Sequence, residues 1–412
     1  MKRKQVDKMA QKSARQFPLF ILMANMFIVM TGIGLVIPIM PTIIQDFGAG
    51  GKTFGLLIAT FAFAQFIVSP IAGNLSDRLG RKKAIVFGLI LFSFSQFLFA
   101  FSQQLGLLYL SRVFGGIGAA FMIPSMMAFV ADITTVDTRA KGMGWLGASM
   151  SFGFVVGPGI GGFLSALGLR APFFIAGAAA ALAAALSILF LKEPARTGAP
   201  TQSKKREPLF KQLALSAKKP YFILLVMMFT LSFGLANYQS TISLYTNIKF
   251  GFSPSDISML MVVGGLIGVI VQAFVLDWAL RTFGEIRVMN TMLIVAAAAM
   301  VALLFAKGFA SVLIVSAFFF TAASLLRPTI NTTVSKMAGS EQGFAAGMNN
   351  AYMSIGNMVG PALAGALFDM NMALPYIFGT IIILITLLIC IKWSRSLKKK
   401  RSSSSASRST IR

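Results

Sequence analysis

Apolar runs recur along this chain, separated by short polar turns. They are continuous and lack the two-residue alternation of a membrane strand, which excludes a transmembrane barrel. Each is about 20 residues or longer, enough to cross a hydrocarbon core of roughly 30 Å as a helix. The pattern predicts spans at 17–44, 53–75, 84–102, 106–131, 142–166 and 171–191. After a break it predicts 220–247, 256–280, 286–306, 310–335, 343–367 and 373–393. The expected fold class is therefore an all-α membrane protein with twelve transmembrane helices. The break, 192–219, holds Pro194, Pro200, Pro208 and eight basic residues, so it reads as a linker between six-helix halves at 17–191 and 220–393. Residues 1–16 are a polar N-terminal segment. Residues 394–412 are a basic, Ser-rich tail for which disorder is expected.

The halves repeat each other. Gly34-Leu35 recurs as Gly234-Leu235, Asp77 as Asp277 ahead of the turn Arg281–Gly284, and Gly157-Pro158 as Gly360-Pro361, at an offset near two hundred residues. Isolated Gly-Pro pairs would not hold that register by chance.

Composition sharpens the picture. The chain is 56% hydrophobic and 12% charged, with a net charge of +25. That excess could suggest nucleic acid, but the placement of the charges argues otherwise. Of 37 Lys and Arg, all but six sort to one side of the predicted spans. Lys52, Arg170, Lys249 and Lys307 fall on the other side, and Arg112 and Arg327 lie inside apolar runs. Such sorting is the positive-inside signal, and it places both termini in the cytoplasm. The first run follows a basic segment and precedes further spans, so an uncleaved first helix is expected. With no His and only Cys390, there is no thiol-rich metal site, no His relay and no intrachain disulfide. No nucleotide-binding loop is present, which removes ATP as a direct energy source and argues against an enzyme.

Three motifs carry chemistry. The turn between spans two and three reads Gly73-Asn-Leu-Ser-Asp77-Arg78-Leu-Gly80-Arg81-Lys82-Lys83. A solvated topology signal accounts for its cations but not for Gly73, Asp77 and Gly80 at fixed spacing. In span five, Gly153, Gly157, Pro158, Gly161 and Gly162 bring small residues to one helix face, where backbones can approach closely, and Pro158 can bend the helix. In span four, Arg112 is an intramembrane cation and a functional candidate by default.

These motifs resemble those of the major facilitator superfamily. The span-five pattern is similar to the signature of its drug/proton antiporters. With Gly32–Pro38, Leu110–Val113, Ser232–Leu235, Gln342–Ala345 and Gly360-Pro361, the resemblance extends to multidrug efflux pumps of Gram-positive bacteria, of the Bmr and NorA type, through all twelve spans. It implies two pseudo-symmetric halves with a substrate site near the midplane between them. It also implies a bacterial plasma-membrane location, and a monomer whose partners are the bilayer, a small amphipathic substrate and the proton, without cofactor or metal. Asp77, with Gly73, Arg78, Gly80 and Arg81, is then a conformational latch, with Arg139 as its expected partner.

One departure matters. Those pumps carry a glutamate where this chain has Gln239, and an aspartate where it has Ser324. Neither replacement titrates near neutral pH. Coupling would then fall to Asp132 or Asp77, or the chain would be a narrower exporter of a sugar or an anionic metabolite, or a relative without proton coupling. The expected substrate-site residues are Asn25, Gln65, Ser151, Gln239, Ser324, Asn331 and Asn357, with Arg112 and Arg327. Met30, Met122, Phe154 and Tyr238 are their apolar neighbours. Any one of the polar groups could equally make an interhelical hydrogen bond, worth roughly 0.6 kcal/mol.

The charge sorting makes a direct prediction. Reporter fusions after Phe210 and after Lys399 should both read as cytoplasmic, and an external signal at either point would overturn the six-plus-six topology.

Overall fold

The computed structural model describes the backbone of residues 2–194, 209–339 and 341–409, and side chains over 17–135, 137–194, 211–339 and 341–395. The described elements are all helical. In chain order they are α1 (Lys2–Gly34), α2 (Val36–Asp46), α3 (Gly51–Leu79), α4 (Arg81–Phe101), α5 (Leu105–Ile133), α6 (Val136–Ser165) and α7 (Ala171–Phe190). A short α8 (Leu209–Ser216) precedes α9 (Phe222–Phe250) and α10 (Pro254–Ile270). A π-helical turn, Val271–Val275, joins α10 to α11 (Leu276–Phe283). The chain ends with α12 (Glu285–Leu304), α13 (Phe309–Ala338), α14 (Gln342–Met370) and α15 (Leu374–Ser409).

Among the described residues, twelve segments are long and apolar enough to span a membrane, from Phe17–Asp46 to Leu374–Arg395. They match the twelve expected runs to within a few residues. Helix α8 occupies part of the expected linker, while 195–208 lie outside the described residues. The last helix runs on to Ser409, through most of the segment for which disorder is expected.

The chain forms two compact units. The first comprises Met1–Lys204 with Ser243–Val262, and the second Lys205–Ile242 with Val263–Arg412. The boundary differs from a simple halving, because the end of α9 and most of α10 pack with the first unit. Asn247 accepts a hydrogen bond from Gln45 at 2.9 Å, and Ser255 donates to the Gly162 carbonyl at 3.3 Å. Within the first unit, α4 packs on α5 and α7, α3 on α5, and α1 on α6. One buried cluster gathers Leu22, Met26, Ile85, Phe92, Met122 and Phe129, and another Ile39, Phe54, Phe99 and Phe173. In the second unit α12 packs on α13 and α15.

Lipid tails are as apolar as the side chains, so helices associate through close packing rather than through exclusion of water. The glycines of α6 provide it. A Cβ placed on Gly153, Gly157 or Gly161 would lie 2.6–2.7 Å from the carbonyl oxygens of Phe27, Thr31 and Leu35 respectively. Both series advance by four residues, so each glycine takes one successive turn of the first span. The second unit repeats the device, with Gly356 against the Phe229 carbonyl and Gly360 against that of Phe233, both at 2.7 Å.

Gly157→Val should therefore force α6 away from α1. A loss of about 1–3 kcal/mol in stability is expected, the usual cost of overpacking, and Gly360→Val should do the same in the second unit. Thermal unfolding of the purified variants in one detergent measures both.

Candidate functional site

The basic turn folds around two short-range constraints. Helix α3 ends at Gly80, whose φ of +110° favours glycine, and Arg81 begins α4 at once. A helix N-terminus repels cations, yet Arg81, Lys82 and Lys83 occupy this one. Glu193, just after α7, resolves the conflict. Its carboxylate accepts hydrogen bonds from the backbone N–H groups of Arg81 and of Lys82, the latter at 3.0 Å. Lys82 Nζ in turn donates to the Ile188 carbonyl at the end of α7, at 2.7 Å.

Arg81 is the hub of the turn. It pairs with Asp77 one helical turn back at 2.5 Å and with Asp132 at the end of α5 at 3.3 Å, and it also donates to Ser76. The expected partner, Arg139, is elsewhere, donating to the Ala131 carbonyl at 3.1 Å. Asp132 is the second-last residue of α5, and that position brings its carboxylate to Arg81. Arg78 also takes part in an interaction, while nothing packs against the Cα of Gly73.

The second unit carries the same geometry with the charges exchanged. Gly284 has a φ of +78° and begins α12 as Gly80 begins α4. Glu285 follows it and pairs with Lys336 near the end of α13, where the first unit has Arg81 with Asp132. The true offset is thus 204 residues at this turn. Asp277, paired with Arg281 at 2.8 Å, sits one helical turn earlier in its helix than Asp77 and is not its counterpart. Glu285 suits a helix N-terminus by itself, and hydrogen bonding to Lys336 holds its carboxyl in place.

The residues expected to line a substrate site divide into two groups. Several are packing residues. Asn25 is buried and donates to Ser187 at 2.8 Å, and Met30 and Met122 belong to the first core cluster. Tyr238 is fully buried, hydrogen-bonded to Ser316 at 2.9 Å and stacked on Phe319 with centroids 4.0 Å apart. Burial of this kind is not legible in a polar or aromatic residue on an apolar run. Gln65 and Phe154 are half-buried and Ser151 is exposed.

The others remain available. Gln239, Ser324, Arg327 and Asn357 are half-buried in the second unit, and Asn331 is exposed. Ser324 donates to the Thr321 carbonyl of its own helix at 2.9 Å, and Asn331 accepts from Asn349 at 2.8 Å. In the first unit Arg112 is 6% exposed, and its Nε has no hydrogen-bond partner. Its guanidinium carbon lies 4.5 Å from the centre of the Phe99 ring, a cation–π contact. Arg112 lies about 10 Å along α5 from its start, and a charged side chain within a membrane helix is costly.

On the other face of α6, glycine brings α10 close. A Cβ on Gly162 would lie 2.0 Å from Ser258 Oγ, and one on Gly159 would lie 2.8 Å from Val262. The antiporter-type pattern thus serves two neighbours, Gly153, Gly157 and Gly161 for α1 and Gly159 and Gly162 for α10. Glu193 and Ser258 are the contributors that sequence reasoning missed. A lone acid next to a run of cations is the signal that could have found the former.

Removing the cap tests its role. Glu193→Ala should cost about 1 kcal/mol, the usual worth of an N-terminal cap. Gly80→Ala should cost more, since it adds strain at positive φ and places a Cβ 2.8 Å from the Glu193 carboxylate. Thermal unfolding of the two variants measures the order.

Comparison with known proteins agrees with this geometry. The chain is 43% identical to Multidrug resistance protein 1 of Bacillus subtilis over 379 residues, covering 92% of this chain and 97% of that one. It is 39% identical to the quinolone resistance protein NorA of Staphylococcus aureus, covering 87% of this chain and 91% of NorA. Among solved structures, a bacterial homologue of the human lysosomal transporter Spinster matches with a TM-score of 0.75 at 18% identity, covering 92% and 97% of the two chains. The nucleoside transporter NupG matches with a TM-score of 0.76 at 12% identity, covering 91% and 99%. These two likenesses concern the fold. Residues 22–339 and 241–411 match the family description directly, and with relatives this similar over nearly their whole length the chain belongs to the Major Facilitator Superfamily.

Proposed function

We propose that this protein exports small amphipathic compounds, with multidrug efflux as its activity, by alternating access in exchange for protons. The observation that carries the reading is 43% identity to a multidrug resistance protein across 97% of that relative's length. The glycine pattern of α6 supports export further, because it is present entire, with Gly153, Gly157 and Gly161 facing the first span and Gly159 and Gly162 facing α10.

The proposed orientation has both termini in the cytoplasm, as the charge sorting requires. The basic turn then faces the cytoplasm, and the contacts of Gly162 with Ser258 and of Gln45 with Asn247 lie at the outer face. Opening outward requires these outer contacts to part. They are two neutral hydrogen bonds, Gln45 to Asn247 and Ser255 to the Gly162 carbonyl, with a close approach at Gly162, and no ion pair among the described residues holds them. Proton coupling is assigned to Asp132 and Asp77, which share Arg81. Protonating either carboxylate removes one of the two charges that fix the Arg81 side chain and frees it for a different pairing when the turn moves.

Proteoliposomes with an imposed pH gradient and a set of cationic, neutral and anionic dyes test the reading. Gradient-driven movement of at least one dye is expected, and none with correctly folded protein would end it. Asp77→Asn should cut transport strongly with expression near normal, since it weakens one conformer rather than the fold. Full activity in that variant would return the turn to a topology signal alone.

A further inference from the structure

Helix α13 carries a polar stripe through the membrane. Ser324, Arg327, Asn331 and Ser335 recur at three- and four-residue spacing and so share one face. Arg327 lies within about 5 Å of the midpoint of this helix along its axis. It makes no hydrogen bond or ion pair with any described residue. Around it the stripe is open rather than packed away. Asn331 and Ser335 are exposed, and Asn349 of α14 reaches Asn331 at 2.8 Å. On the far side of Ser324, Gly268 of α10 offers no side chain, and a Cβ there would stand 3.6 Å from Ser324 Cβ. The π-helical turn begins three residues later and carries the exposed Gln272 inside a predicted span. Such turns occur often at functional sites.

The charge balance around this stripe is one-sided. Among the described residues every Asp and Glu lies near a helix end, the deepest being Asp277, about 9 Å from the end of its span. Arg112, which is buried, likewise has no ion pair with a described acid. Membrane-embedded cations are normally paired with an acid or with backbone carbonyls. Here the chain places Arg327 on one helix face with Ser324 and Asn331 but gives it no described counter-charge.

We propose that Arg327 is the specificity-determining residue for an organic anion, and that this exporter takes amphiphiles bearing a carboxylate or sulfonate. The inference rests on the export reading and names the substrate class of that site. The anionic group supplies the missing counter-charge at Arg327, and the side-chain N–H groups of Asn331 and of Asn349 on α14, with the Ser324 hydroxyl once it turns from the Thr321 carbonyl, complete its hydrogen bonds. The apolar body of the substrate then lies along the apolar helix faces. A guanidinium holds such a group through two parallel N–H donors, which also fixes its orientation.

The full chain in lipid nanodiscs tests this with two probes of matched shape, naphthalene-2-sulfonate and trimethyl(naphthylmethyl)ammonium, by calorimetric titration. The sulfonate should bind more tightly than the cation. Arg327→Gln should weaken sulfonate binding by about tenfold or more, and Arg327→Lys should recover part of it. Ser324→Asp, one turn from Arg327, should supply an internal counter-charge, depress sulfonate binding and improve that of the cation. Variants are compared only when they elute as single species and unfold cooperatively, and Arg327→Lys and Ser324→Asp keep the test open should Arg327→Gln not fold. Tighter binding of the cation by the unmodified protein, or sulfonate affinity unchanged in the folded Arg327 and Ser324 variants, would overturn the proposal. Vesicle transport separates it from the underlying reading. Export of the cation without sulfonate binding leaves export standing and removes the anion site. Arg327-dependent sulfonate binding without export of either probe does the reverse.

Discussion

In a bilayer, apolar side chains gain nothing by leaving lipid for one another, so the structure depends on how closely helix backbones can approach. The contact of α6 with α1 sets that distance. Gly153, Gly157 and Gly161 lie against successive carbonyls of the first span, and any side chain there would collide. The second unit uses Gly356 and Gly360 in the same way. The contact is mainly backbone against backbone, with one side-chain hydrogen bond across it, from the Thr31 hydroxyl to the Gly153 carbonyl at 3.4 Å.

Charge plays a different part at the two ends of the spans and within them. At the ends, acids and bases meet in pairs: Arg81 with Asp77 and Asp132, Glu285 with Lys336, Lys219 with Glu341. These pairs are partly exposed and individually worth little, with a median of about 0–1 kcal/mol for surface pairs. Their value lies in geometry, since they fix which helix end touches which. The exchange of sign between Arg81–Asp132 and Glu285–Lys336 keeps a bond at equivalent places while changing what each helix N-terminus requires. Arg81 needs the carboxylate of Glu193 to neutralise its terminus, and Glu285 needs no such help. Within the apolar runs, by contrast, Arg112 and Arg327 stand without acids among the described residues.

The sequence by itself determined the twelve spans, the repeat of the halves and the family. Hydrophobic length and periodicity are local properties, and the bilayer thickness converts them directly into helices. The glycine pattern was equally legible, because small residues at four-residue spacing have one efficient use in a membrane. Only the tertiary structure decided partners. It gave Asp77 to Arg81 rather than to Arg139, brought in Glu193 from the far end of α7, and moved Asp277 one turn away from the place its spacing suggested. It also sent Asn25 and Tyr238 into packed cores while leaving Arg327 half-buried and Asn331 exposed. The physical reason is that a polar residue on an apolar run has the same sequence signature whether it bonds a neighbouring helix or faces a site. Which of the two it does depends on the rotation of its helix against neighbours more than a hundred residues away.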